Sequence, residues 1–471
     1  MKESTLLLSQ KLKHIHFIGI GGISMSGLAE ILLSMGYKVS GSDIKVSNIT
    51  KKLEKMGAKI YPFHSEENII NPDLVVYTAA VREDNPERIK AVRLNIPTIE
   101  RAVLLGEIMK KYPYSIAISG THGKTTTTSM VSMIMLEAEL DPTIHIGGEL
   151  DAIGGNTKIG GSRYFIAEAC EYVESFLKFH PYLAIVLNIE LDHVDYFKDI
   201  EHIKASFLKF ASLIPLDGYL VVCADDSNAS SLLDKVDCKK ITYGVNSQNA
   251  MYRAKNIVFD NFGCASYTLI YNNEPVSIIK LSVPGIHNVS NSLAAAASCL
   301  AIGCRLDSIK YGLSKFTGTH KRFETKGIID DIKVIDDYAH HPSEIRATLK
   351  AAKQCTHTRI WCIFQPHTYT RTKAFINEFA DSFEDADNVI VCDIYAAREK
   401  DTGEIHSRVL ADKINAVEPK AIYIKSFQNI VDYLLKNAAP GALILTMGAG
   451  DISKVGEMFL NSRSVLTAVN K

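Results

Sequence analysis

Along the chain, short apolar, β-branched runs alternate with longer amphipathic stretches. HIHFIGI, MSGLAEILLSMG and KVSGSD, which together fill most of residues 14–43, read as strand, helix and strand, the pattern of a parallel βαβ unit. The alternation recurs downstream. SIAIS (115–119) runs into a glycine-rich turn and then the apolar-periodic helix SMVSMIMLEAE (129–139). IKVIDDYAHHPSEIRATLKAA (332–352) reads as a strand, a polar loop and a helix, and RIWCIFQPHTYTRTKAF (359–375) repeats that arrangement. The fold class is therefore α/β. Two breaks divide the pattern. Near 110–115 a helix ending in Lys110 and Lys111 meets Pro113, and at FTGTHKRFE (316–324) an alanine-rich helix gives way to a new strand. The cuts give domains of ordinary size at 1–111, 112–322 and 323–471.

Composition narrows the partners. At 471 residues there is ample length for several buried cores. With 52 basic and 53 acidic residues the net charge is -1, so bulk electrostatics point to neither nucleic acid nor a membrane surface. Anionic ligands must be met locally. The nine cysteines are scattered, odd in number and without a CxxC pair, which suits reduced thiols in a cytoplasmic protein rather than a disulfide framework or a structural zinc site. No apolar run is long enough for a signal-peptide core or a membrane span.

Two glycine-rich turns carry the first chemistry. FIGIGGIS places Gly19, Gly21 and Gly22 between a strand and a helix, where backbone N–H groups and the helix dipole favour a diphosphate. Asp43 follows at the distance of a ribose-binding carboxylate, but Ser24 stands where the third glycine of GxGxxG belongs. Either a nicotinamide dinucleotide, hence an oxidoreductase, or a UDP-sugar fits this turn. In ISGTHGKTTTT, Gly120 and Gly123 let the backbone curl around phosphate, Lys124 supplies a point charge, and Thr125 presents a hydroxyl to Mg²⁺. Measured against GxxxxGKS/T this loop is two residues short.

Polar residues gather after later strands. YFIAEA delivers Glu168, and LAIVLNIELDHVD delivers Glu190, Asp192, His193 and Asp195, which read either as oxygen-rich Mg²⁺ ligands with a histidine beside them or as solvated loop residues. Asn288 and Asn291 lie one turn apart on a small-residue helix, able to reach a base or ribose or simply to cap it. Asp336, Asp337, Tyr338, His340 and His341 follow one strand; His367, Tyr369 and Arg371 follow another. Arg371 is the natural carboxylate fork.

These segments resemble the Mur ligases of peptidoglycan synthesis, whose ATP loop reads GTxGKT/S, as in GTHGKT here. GIGGISMSGLAE, NIELDHVDYF, GIHNVSNSLAA, GTHKRFE, DDYAHHP and FQPHTYTRT span almost the whole chain in order and are similar to those of the member that adds L-alanine to UDP-N-acetylmuramate. The member that attaches a tripeptide in recycling has a different amino-terminal turn. The resemblance implies a Rossmann-like amino-terminal domain for the UDP end, a central P-loop ATPase-like domain with a mostly parallel sheet, and a Rossmann-like carboxyl-terminal domain for ATP and the amino acid. It implies ATP and Mg²⁺, the substrates UDP-N-acetylmuramate and L-alanine, and a cytoplasmic monomer or homodimer. Carried over by position, Gly19, Gly21, Gly22, Ser24, Met25, Ser26 and Asp43 serve the UDP-sugar. Gly120, Thr121, His122, Gly123, Lys124, Thr125, Thr126, Asn288, Asn291, Arg322 and Asp337 serve ATP. Thr125, Glu168 and His193 take the metal, Tyr338, His340 and Arg371 the alanine, and the catalytic set is Lys124, Glu168, His193 and His340. Three departures stand out. Thr368 occupies a position where many members carry arginine, Arg398 one where glycine is usual, and the carbamoylated lysine of related ligases finds no counterpart, since Phe207 or its neighbours occupy that stretch and Lys204 and Lys209 are only nearby.

Overall fold

The computed structural model describes Leu8, residues 12–78 and residues 80–469. The described residues form three sheets, and the chain divides into two compact units. The first unit comprises Met1–Ile189, Lys204–Thr242 and Ala294–Gly312; the second comprises Glu190–Ile203, Tyr243–Leu293 and Leu313–Lys471.

In the first unit, a five-stranded sheet has its strands in the order Lys59–Tyr61, Lys38–Ser42, His14–Ile18, Leu74–Tyr77 and Thr98–Glu100, all parallel. The same unit holds the core of the middle sheet. There, Tyr114–Ser119 lies between Tyr164–Glu168 and Leu183–Val186, again in parallel. Ile116, Ala117, Ile118, Ile166 and Ile185 are all fully buried, because parallel strands are covered on both faces. Carboxyl ends of such strands collect ligands, so this packing decides where Gly120 and Glu168 emerge.

The second unit holds an antiparallel ribbon of Tyr252–Phe259, Cys264–Tyr271 and Glu274–Pro284, together with a six-stranded sheet. That sheet orders Glu324–Ile329, Ile332–Asp337, Ala442–Met447, Arg359–Phe364, Asn388–Val391 and Ala421–Tyr423, with only the first pair antiparallel. Ile335, Leu349, Phe364, Phe379 and Leu445 fill its core.

One element departs from its sequence reading. The helix placed after the threonine run begins earlier, at Lys124, and spans Lys124–Glu137. Gly123, at φ 84°, turns the chain into it. Hydroxyls fit because they bond backwards within the helix: Thr128 Oγ1 to Lys124 O at 2.8 Å, Ser129 Oγ to Thr125 O at 2.9 Å and Ser132 Oγ to Thr128 O at 2.7 Å.

Candidate active site

The phosphate loop is held open by its neighbours. Gly120, at φ 141°, passes so near the next strand that a Cβ would lie 2.9 Å from Leu187 Cβ and 3.2 Å from Asn188 N. Asn188 then clamps the loop. Its carbonyl accepts from Thr121 N at 3.1 Å, its side-chain oxygen from His122 N at 2.8 Å, and its amide donates to His122 O at 3.2 Å. Sequence reasoning missed Asn188, because an asparagine between two apolar residues carries no local signal.

Lys124 folds back onto this loop. Its Nζ donates to Gly120 O at 2.6 Å and Thr121 O at 3.0 Å and meets the buried Glu171 carboxylate at 3.0 Å. Burial disfavours the ammonium, but the Glu171 charge outweighs it and raises the Lys124 pKa. Lys124 is therefore a protonated cation, as phosphate binding requires. Glu171 is a second residue that sequence reading did not single out. One helical residue on, Thr125 Oγ1 donates to Glu168 Oε2 at 3.1 Å, while Glu168 Oε1 accepts from Gly147 N at 2.7 Å. A hydroxyl and a carboxylate side by side form a hard oxygen pair of the kind Mg²⁺ prefers.

The other glycine turn is braced from below. Gly19 N and Ile20 N donate to Ser42 O at 2.8 and 3.0 Å, and Gly21 N donates to Asp43 Oδ2 at 2.9 Å. Asp43 thus fixes the turn. Gly22 caps the helix Ile23–Ser34 without any side-chain bond, leaving the first N–H groups open to a ligand. Met25 and Ser26 are buried, and Ser26 Oγ donates to Ile23 O at 2.8 Å, so these two residues offer the site only backbone. Ser24 Oγ lies 2.8 Å from both Arg101 Nη1 and His145 Nε2.

In the second unit the polar residues form one network. Asp192 fulfils neither sequence expectation: it is buried, with its Oδ1 accepting from Arg371 Nε at 3.1 Å and Nη2 at 2.8 Å. Burial raises the Asp192 pKa, yet Arg371 overrides it and holds the carboxyl well below the usual range. Arg371 also lies 3.1 Å from His367 Nδ1, so its fork is largely engaged. His367 stacks on Tyr395, and its pKa is pushed down to about 4 by burial, with the neighbouring Arg371 charge acting in the same direction. His340 packs against His367 and Tyr338, its Nδ1 2.9 Å from Tyr338 O. Burial lowers the His340 pKa, which makes the ring a neutral acceptor. His341 instead caps the helix Pro342–Gln354.

The remaining assignments divide between bracing and exposure. Asp337 accepts from Phe323 N at 2.7 Å and Ala339 N at 2.8 Å, and burial pushes its pKa up to about 6. Arg322 lies over the Tyr338 ring at 5.2 Å and 3.8 Å from Glu344. Asn288 and Asn291 are buried and bonded to each other at 3.1 Å. His193 sits at φ 51° with its N–H on Asp192 Oδ1, Asp195 is exposed, and so is Arg398. Thr368, at φ 65°, caps the short helix that carries Arg371. In the first unit, Phe207 is fully buried against Phe176, while Lys209 pairs with Glu174 at 3.1 Å.

A phosphate cradle with an oxygen pair, on a three-sheet α/β scaffold, is the equipment of an ATP-dependent ligase. The chain belongs to the Mur ligase family. Residues 14–113 match the model of the Mur ligase family catalytic domain, 118–299 the Mur ligase middle domain, and 321–450 the Mur ligase glutamate ligase domain. This membership removes the oxidoreductase reading of the first glycine turn. Within the family, the chain is 65% identical over 466 residues to UDP-N-acetylmuramate–L-alanine ligase of Acetivibrio thermocellus, covering 99% of both chains. It is 56% identical over 449 residues to the enzyme of that name from Clostridium tetani, covering 95% of this chain and 98% of the other. Among solved structures, UDP-N-acetylmuramate-alanine ligase from Thermotoga maritima superposes with a TM-score of 0.81 at 31% identity, covering 96% of this chain and 99% of that one. A murein peptide ligase from Psychrobacter arcticus gives 0.71 at 26% identity, with 96% and 98% covered.

Proposed function

We propose that this chain joins L-alanine to the lactyl carboxylate of UDP-N-acetylmuramate at the expense of ATP, the first peptide-adding step in building the peptidoglycan precursor. Full-length identity to ligases of that name supports the reading. The structural observation that carries it is the loop in which protonated Lys124 stands next to the Thr125–Glu168 oxygen pair.

A carboxylate is a poor electrophile, so ATP must first convert it to an acyl phosphate. The lactyl carboxylate attacks the γ-phosphorus and ADP leaves; the alanine amine then attacks the acyl carbon and inorganic phosphate leaves. Two anions meet in the first step, and Lys124 supplies charge to offset their repulsion. Thr125 and Glu168 suit Mg²⁺, which when bound would neutralise phosphate oxygens, and His193 is proposed as a further ligand. Asn188 fixes the loop so that Gly120 and Gly123 present backbone to phosphate. In the second step the amine must lose a proton, and neutral His340 can accept one. Tyr338 and Arg371 are proposed for the amino acid, Asn288, Asn291, Arg322 and Asp337 for the nucleotide side, and Gly19, Gly21, Gly22, Ser24, Met25, Ser26 and Asp43 for the UDP end.

We assign these roles to domains at 1–111, 112–322 and 323–471. Scattered, odd-numbered cysteines suit the reducing cytoplasm, and no helix among the described residues is long and apolar enough to cross a membrane.

The test is phosphate release from ATP with UDP-N-acetylmuramate and L-alanine, glycine or L-serine. Release that depends on both the UDP-sugar and the amino acid, and is most efficient with alanine, is expected; release indifferent to either overturns the assignment.

A further inference from the structure

We propose that Arg101 anchors the diphosphate of the UDP-sugar, a role that rests on the function proposed above. Arg101 follows the strand Thr98–Glu100 and opens the helix Arg101–Met109. Its Nη1 donates to Ser24 Oγ at 2.8 Å, at the second position of the helix Ile23–Ser34.

A guanidinium only donates, so Ser24 Oγ accepts from Arg101. His145 Nε2 lies 2.8 Å from the same hydroxyl, and His145 Nδ1 lies 3.2 Å from Thr157 Oγ1. Burial, and then the Arg101 charge, press the His145 pKa down to about 3, so the ring is neutral and adds no second positive charge beside Arg101. Ser24 and His145 thus aim Arg101.

This orientation uses one of five guanidinium N–H donors, and no other hydrogen-bond partner of Arg101 is found among the described residues. The helix end beside Ser24 has no side-chain cap. A guanidinium and the positive end of a helix dipole repel each other unless an anion lies between them. A diphosphate satisfies both: the fork takes two of its oxygens and the free helix N–H groups take others.

The experiment compares wild type with Arg101→Gln, Arg101→Lys and Ser24→Ala by calorimetric titration with UDP-N-acetylmuramate and with UDP-N-acetylglucosamine. The second probe has the same diphosphate and no lactyl group. Losing a hydrogen-bonded charge at an anion should weaken Arg101→Gln binding of both probes about tenfold or more and raise KM for the UDP-sugar. The KM for ATP and kcat should change by less than about threefold on the same reasoning. Arg101→Lys and Ser24→Ala should fall between, and they carry the test if the glutamine variant does not fold. Weakening confined to UDP-N-acetylmuramate, or unchanged binding of both probes, overturns the proposal. Wild type that binds neither probe and shows no alanine-dependent phosphate release instead overturns the function on which it rests.

Discussion

At the scale of single residues, the site turns on charges that neutralise one another before any ligand arrives. Asp192 and Arg371 are both buried, their side chains 6% and 8% exposed. Breaking a buried pair from one side leaves an uncompensated charge, at a cost of about 3–5 kcal/mol. Asp192→Asn should therefore lower stability by that order in urea melts, and Asp192→Asn with Arg371→Met should recover much of the loss. The sign with pH follows from the depressed Asp192 pKa. The contribution of the pair is fully present above the unfolded value, about pH 4, and is lost only as pH falls toward the lower folded value. Asp192→Asn should flatten this acid limb; an unchanged melt across pH 3–7 would contradict the pairing. Neither partner could be inferred from its own neighbours in sequence, because 179 positions separate them. Glycine, lysine and threonine of the phosphate loop were legible because their work is local: they shape one turn and the helix that follows it. Glu171, Asn188 and Arg101 were not, since each acts on a residue that folding alone brings near.

At the scale of elements, strand–turn–helix units were readable from alternation, and their closeness of approach was not. The helix Arg101–Met109 contains Gly106, whose added Cβ would lie 1.9 Å from the Lys178 carbonyl oxygen. In an exposed helix interior, glycine to alanine gains roughly 1 kcal/mol. Here Gly106→Ala should instead destabilise by about 1–3 kcal/mol, the usual toll of overpacking, because the obstacle is backbone and cannot swing aside. Thermal melting of the variant measures this directly, and an increase in Tm would mean the helix is free to move. The same limit explains the early helix start at Lys124. Periodicity marked only the apolar face from Ser129 onward, whereas Gly123 and back-bonded hydroxyls decided the true beginning.

For the whole molecule, ligands that bind only the folded state should add stability by mass action, about 2.7 kcal/mol at a concentration one hundred times Kd. ATP with Mg²⁺ and UDP-N-acetylmuramate are each expected to raise Tm. Lys124→Ala should abolish the ATP increment and alanine-dependent phosphate release while leaving the UDP-sugar increment intact; retained turnover would refute the role of the loop. The amino-acid sequence by itself determined the α/β class, the two glycine turns and the order of motifs that mark a Mur ligase. Those properties depend on short-range periodicity and on the backbone freedom of particular glycines, both written in consecutive residues. Tertiary structure alone decided that Asp43 braces a turn, that Glu171 keeps Lys124 charged, that Asp192 occupies Arg371 and that Ser24 aims Arg101. Charge, burial and hydrogen-bond satisfaction depend on neighbours in space, and a linear pattern does not specify them.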